Sequence, residues 1–141
     1  SFIVIFINKK IKTKKALKKY KDEIDLIEKE IEEDSSFYDQ SNHLILTDHY
    51  LLNFKQKPII LKYNDLLWIY ENRLKNYGIT VEKEIYIMNK DGKTFKIYSN
   101  SRLEDKDKTK DIINRISSKN NSIIIGLNKK NEEKIQEILN S

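Results

Sequence analysis

Residues 44–52 read LILTDHYLL, two apolar runs around the polar triplet Thr47-Asp48-His49. An Asp beside a His, in a chain that holds only two histidines, has the makings of a proton-transfer pair or of half a metal site. The same triplet suits a hairpin tip, because Thr and Asp oxygens bond nearby amides where a turn opens. The first reading leads to an enzyme and the second to a strand-built scaffold. The flanking sequence favours the second. HLILT and YLLNF read as paired strands, and PIILKY follows after the turn Lys55-Gln56-Lys57. Pro58 can open that strand because its first position need not donate a hydrogen bond.

Further along, residues 65–71 (DLLWIYE) are apolar on both faces, with Leu66, Trp68 and Tyr70 on one and Leu67 and Ile69 on the other. A strand wet on one side alternates with polar residues, so this one is expected to be covered on both. Residues 81–88 (VEKEIYIM) and 94–98 (TFKIY) flank Asp91-Gly92, a strong hairpin signal. Gly78 marks another turn. After Asn100 the period becomes helical: residues 103–117 are expected to form a helix, 122–126 (SIIIG) a short strand, and 129–139 a last helix capped by Asn128. At the other end, Leu17, Tyr20, Ile24, Ile27 and Ile31 recur at spacings of three and four, which predicts an amphipathic helix over residues 10–33. Strands grouped apart from helices indicate an α+β domain. The expected architecture is a long N-terminal helix, a mainly antiparallel sheet or partial barrel of six to seven strands, and two C-terminal helices flanking a short strand.

Composition narrows the function. The chain has no cysteine, which removes disulfides, thiolate zinc sites and cysteine nucleophiles together. Lys and Arg number 27 against 22 acids, for a net charge of +5, yet only Arg73, Arg102 and Arg115 are arginines. Nucleic-acid readers favour Arg for its planar, bidentate fork. The 23 Ile and 14 Asn accompany the lysines as AT-rich coding would have it, so net charge argues little for nucleic acid. The three glycines form no phosphate-cradling loop, and the two histidines lack zinc spacing. Asp105 and Asp107 make a DxD, but interleaved lysines and the missing glycine and twelfth-position Glu fit a helix start better than a calcium loop. No catalytic residue, metal ligand or cofactor is assigned, and the protein is expected not to be an enzyme.

The amino-terminal segment points elsewhere. The apolar residues 2–7 are followed at once by Lys9, Lys10, Lys12, Lys14, Lys15, Lys18 and Lys19. Six apolar residues cannot span a bilayer, which needs about 20. A lysine cluster directly after an apolar run nevertheless has the form of the cytoplasmic exit of a transmembrane helix. The alternative is that residues 2–7 are an edge strand. Lysines fill the first half of the 10–33 helix and acids the second, the reverse of what a helix dipole favours. An anionic leaflet at the amino end accounts for that order. The expected organisation is thus a membrane-segment end or edge strand over 1–8, a charged amphipathic helix over 9–36, and an α+β domain over 42–141. The lysines form a membrane-proximal basic set, and the location is the cytoplasmic face of the cell membrane, with the cytoplasm as the alternative. Trp68, Tyr70 and Tyr86 form a partner or packing face. It is expected to be covered by the N-terminal helix, with an unidentified protein as the other partner; if open instead, it would suit a soluble nucleic-acid-binding domain.

Over residues 42–126 the motifs LTDHYLLNF, PIILKYNDLLWIYENR and IYIMNKDGKTFKIY resemble bacterial PH-like domains. Leu46-Thr47-Asp48, residues 65–70 and the late SIIIGLNKKN look closer still to a group of membrane-anchored bacterial proteins of unknown function. The resemblance implies a PH-like barrel and a non-catalytic interaction or sensing module. Two departures qualify it. A helix, a strand and a second helix follow Tyr98 where one closing helix is usual, and Asp48-His49 stands where lipid-binding members carry paired cations.

Overall fold

The computed structural model describes residues 22–101 and 106–141. They fall into two compact units, one ending at Tyr63 and one running from Asn64 to Ser141.

In the first unit a short helix, α1 (Ile24–Ile31), precedes four strands: β1 (Phe37–Asp39), β2 (Leu44–Leu46), β3 (Tyr50–Asn53) and β4 (Ile59–Lys62). They form an antiparallel meander in that order. Ile24, Ile27 and Ile31 lie three and four apart on α1 and pack with Ile45, Tyr50, Leu52, Phe54 and Ile60. The described part of the stripe thus packs on the first sheet, where the Trp68 strand was the expected target. Among the described residues this helix is eight residues long, where a long one was expected. Acids crowd its carboxyl end, where the dipole disfavours them, and the Ser36 hydroxyl donates to the Ile31 carbonyl at 3.0 Å, closing the last turn. Residues 10–21 of the expected long helix, and the lysines among residues 9–19, lie outside the described residues.

Strand β1 begins before the expected sheet. It is held by a turn in which Asp39 Oδ2 accepts from the Asn42 amide and side chain at 3.3 and 2.7 Å. The Leu44–Leu46 and Tyr50–Asn53 strands pair as expected, with Leu46 opposite Leu51 and Ile45 opposite Leu52.

The second unit holds β5 (Leu66–Asn76), β6 (Ile79–Asn89), β7 (Thr94–Ser101), β8 (Ile124–Ile125) and helices α2 (Thr109–Ser118) and α3 (Lys129–Asn140). The strand order is β7-β6-β5-β8. The α2 crossover lets β8 run parallel to β5, with Trp68 opposite Ile124 and Ile69 opposite Ile125. Trp68 on one face of β5 and Ile69 on the other are both buried, as its two-sided apolar pattern requires. Helix α2 lies against β5 and β6 and buries Ile112 and Ile116 fully. At the β6–β7 turn Gly92 takes φ +84°, and the Asn89 side chain accepts from the amides of Asp91 and Lys93, both at 3.0 Å. Asn128 caps α3 by accepting from the Asn131 amide at 2.8 Å.

The expected single PH-like partial barrel is therefore overturned: among the described residues eight strands are divided between two four-stranded sheets. The reason lies at Tyr63–Asp65, where a 3-10 turn separates β4 from β5. PIILKY and DLLWIYE thus enter different sheets instead of continuing one meander.

Candidate functional site

The triplet Thr47-Asp48-His49 is the tip of the β2–β3 hairpin, and it is tied to a buried carboxylate. Glu30, on the last turn of α1, is 3% exposed. Its Oε1 accepts from the Thr47 hydroxyl and from the His49 amide, both at 2.8 Å. Its Oε2 lies 2.7 Å from His49 Nδ1, while the imidazole itself is 65% exposed. Thr47 Oγ1 in turn accepts from the Tyr50 amide at 3.0 Å, and the Thr47 amide donates to the Tyr50 carbonyl at 2.9 Å. The Tyr63 hydroxyl donates to the Thr47 carbonyl at 2.7 Å and lies 3.0 Å from that of Tyr50. Burial, and secondarily the charges of Glu30 and Asp48, push the Tyr63 phenol well above its ordinary range. Nearby, Lys62 Nζ pairs with Glu23 Oε1 at 2.7 Å, and that hydrogen bond holds the Glu23 carboxyl below its usual value.

The geometry decides what this cluster can do. A carboxylate, an imidazole and a hydroxyl stand within hydrogen-bond reach, as a nucleophilic triad would need. Yet the Thr47 proton points at Glu30, and Thr47 is itself buried, so its oxygen faces the fold and not a substrate. Both Glu30 oxygens are engaged in fixing the turn. A buried carboxylate with three donors is a staple whose removal would leave those donors unpaired.

The structure brings Trp68, Tyr70 and Tyr86 together. The Trp68 and Tyr70 rings are 4.4 Å apart and tilted, and the Tyr70 and Tyr86 rings stack at 5.5 Å. Tyr70 and Tyr86 are direct cross-strand partners, which puts them on one face. Trp68 is 6% exposed, and its indole N–H donates to the Gly126 carbonyl at 2.8 Å. It is a packing residue and offers no platform for a base. Burial raises the Tyr70 and Tyr86 phenols, with help from Tyr86 and Glu132 for the former and Glu84 for the latter. Glu84 is another buried carboxylate, 3.2 Å from Lys96 Nζ, from Asn72 Nδ2 and from the Tyr86 hydroxyl.

Of the DxD, Asp105 lies outside the described residues, and Asp107 stands just before helix α2. Asp107 Oδ1 accepts from the Thr109 amide at 2.9 Å, and Oδ2 pairs with Lys83 at 2.6 Å. Burial opposes its ionisation, but the hydrogen bonds from Lys83 and Thr109 prevail and hold the carboxyl at about 2. Among the described residues no group of three or more His, Asp or Glu side chains is placed to hold a metal ion.

A family model described as Domain of unknown function (DUF6709) matches residues 11–135. The chain belongs to the DUF6709 family. The match spans both units, so the two sheets belong to the family's domain together. No curated protein and no solved structure matches the chain.

Sequence reasoning missed Glu30 in this DUF6709 chain because it sits among several acids of a charged helix. The one signal was its place: Glu30 falls between Ile27 and Ile31, on the edge of the apolar stripe. The β5–β6 turn falls at Gly78 as expected, but Tyr77 within it, 97% exposed, was a second omission.

Proposed function

We propose that this DUF6709 chain is a non-catalytic binding module working at the cytoplasmic face of a membrane, held there by its lysine-rich amino-terminal segment. The fate of the most reactive-looking cluster carries the non-catalytic reading. Glu30, Thr47 and His49 are consumed by one another in fixing a hairpin, and Thr47 is turned inward. The lysines at positions 9, 10, 12, 14, 15, 18 and 19 supply the membrane contact, each worth about 1 kcal/mol near an anionic leaflet. A protein partner would then be met by the body of the domain.

Co-sedimentation of the full chain with vesicles tests this. Binding is expected to phosphatidylcholine vesicles containing phosphatidylserine, and to be lost when Lys9, Lys12, Lys15 and Lys19 are replaced by Glu. Equal binding to purely zwitterionic vesicles, or none to either, would overturn the membrane reading. Strongly salt-dependent binding to single-stranded nucleic acid in its place would favour the soluble alternative.

A further inference from the structure

The β5–β6 hairpin ends in a two-residue turn, Tyr77-Gly78, with Asn76 paired to Ile79. Both turn residues have positive φ, +52° and +77°, which makes a type I′ turn. That turn favours Asn or Asp at its first position, where a short side chain tolerates the left-handed conformation. A bulky aromatic there is disfavoured. Tyr77 accepts this cost while its side chain is 97% exposed, so packing within the fold does not repay it.

The surroundings of Tyr77 share its character. Ile79 is 53% exposed and Leu74 40% exposed. Leu74 and Asn76 alternate onto one face of β5, and Ile79 is the partner of Asn76, so Leu74 and Ile79 share that face. The hairpin also outruns its sheet. The last described β6–β7 pair is Glu82 with Ser101, and β8 reaches only Trp68 and Ile69 on the other side. Residues 75–81 are thus a two-stranded ribbon with no flanking strand among the described residues. Between Glu71 and Glu82 the chain carries no acid and two cations, Lys75 and Arg73, the latter paired with Glu71 at 3.0 Å.

We infer that this ribbon tip is a second membrane contact, inserting Tyr77, Ile79 and Leu74 into the interface of an anionic bilayer. This rests on the membrane reading above and adds to it a site remote in sequence from the lysines. Tyr is suited to that depth, with an apolar ring for the acyl boundary and a hydroxyl for the headgroups. Lys75 brings positive charge to a tip free of acids, which matches anionic lipid where an acidic tip would not.

The substitution Tyr77→Asn makes an informative test, because it places the residue the turn prefers and leaves the fold intact or firmer. With the full chain and vesicles of phosphatidylcholine and phosphatidylserine, Tyr77→Asn combined with Ile79→Thr is expected to weaken partitioning about tenfold. Thermal stability should be unchanged or higher. In a Tyr77→Trp variant the added fluorescence should shift to the blue on such vesicles and be quenched by brominated acyl chains. If the parent binds and the Tyr77→Asn/Ile79→Thr variant binds equally, the tip proposal falls while the lysine reading stands. If the parent binds no vesicle, both fall. If the variant instead abolishes self-association seen by light scattering, with vesicle binding unchanged, the tip is a contact between copies and the proposal is overturned.

Discussion

Two hairpin tips in this molecule are built on opposite terms. The β2–β3 tip is polar and locked: Thr47 and His49 give hydrogen bonds to Glu30, and Tyr63 braces the carbonyls beneath. The β5–β6 tip is apolar and bare, with Tyr77 in a left-handed conformation and Ile79 beside it. Residues that look chemical serve structure, and residues that look structural face outward. The difference teaches that residue type alone misassigns roles. What decides is where each hydrogen bond goes and which side chains the fold leaves uncovered.

The largest effect should come from the locked tip. Glu30→Ala deprives buried donors of their acceptor and is expected to cost about 2–3 kcal/mol. Chemical denaturation would measure that cost, and amide exchange should show protection lost first at Thr47, His49 and Tyr50. A neutral result would mean the staple is idle. Next comes Tyr63→Phe, at about 1 kcal/mol for the lost hydroxyl bonds. It carries a pH signature as well. Because burial favours the neutral phenol, its contribution is complete below the ordinary tyrosine pKa near 10 and is lost as pH rises above it. The Tyr63→Phe chain should therefore lose less stability than the parent in strong alkali.

The bare tip predicts a change of the other sign: Tyr77→Asn should stabilise by about 0.5–1 kcal/mol, the relief of an aromatic at positive φ. A marked loss of Tm would show that Tyr77 supports the fold after all. The smallest effect belongs to Asp107, whose pair with Lys83 is partly solvated and so weak. Its depressed carboxyl contributes above the ordinary range near 4 and loses that contribution as pH falls towards about 2. Asp107→Asn should flatten the acid limb of the stability curve over that window.

Much of the local structure was legible in the chain, and the architecture was not. The LILTDHYLL hairpin, the Asp91-Gly92 turn and the Asn128 cap follow from turn and capping chemistry, which is local. The division into two sheets is not local. It depends on the 3-10 turn at Tyr63–Asp65, where Asn64 and Asp65 mark a break between strands but do not say that the next strand joins another sheet. A resemblance carried by strand motifs consequently implied one barrel where there are two sheets. The packing target of α1 was equally hidden, since an apolar stripe declares that it will be buried but not against what. Of the candidate site residues, Trp68, Tyr70 and Tyr86 were found together because period-two alternation fixes which side chains share a face. Glu30 was hidden among the exposed acids around it, since its place at the edge of the apolar stripe is a weak signal and its partners lie 17 and 19 residues away.

The contrast between the tips is tested most directly by amide NMR of the full chain titrated with bicelles containing phosphatidylserine. The account predicts selective broadening of Leu74, Lys75, Tyr77 and Ile79, with Thr47, Asp48 and His49 unaffected. Broadening at Thr47, Asp48 and His49 with Tyr77 and Ile79 unmoved would contradict it.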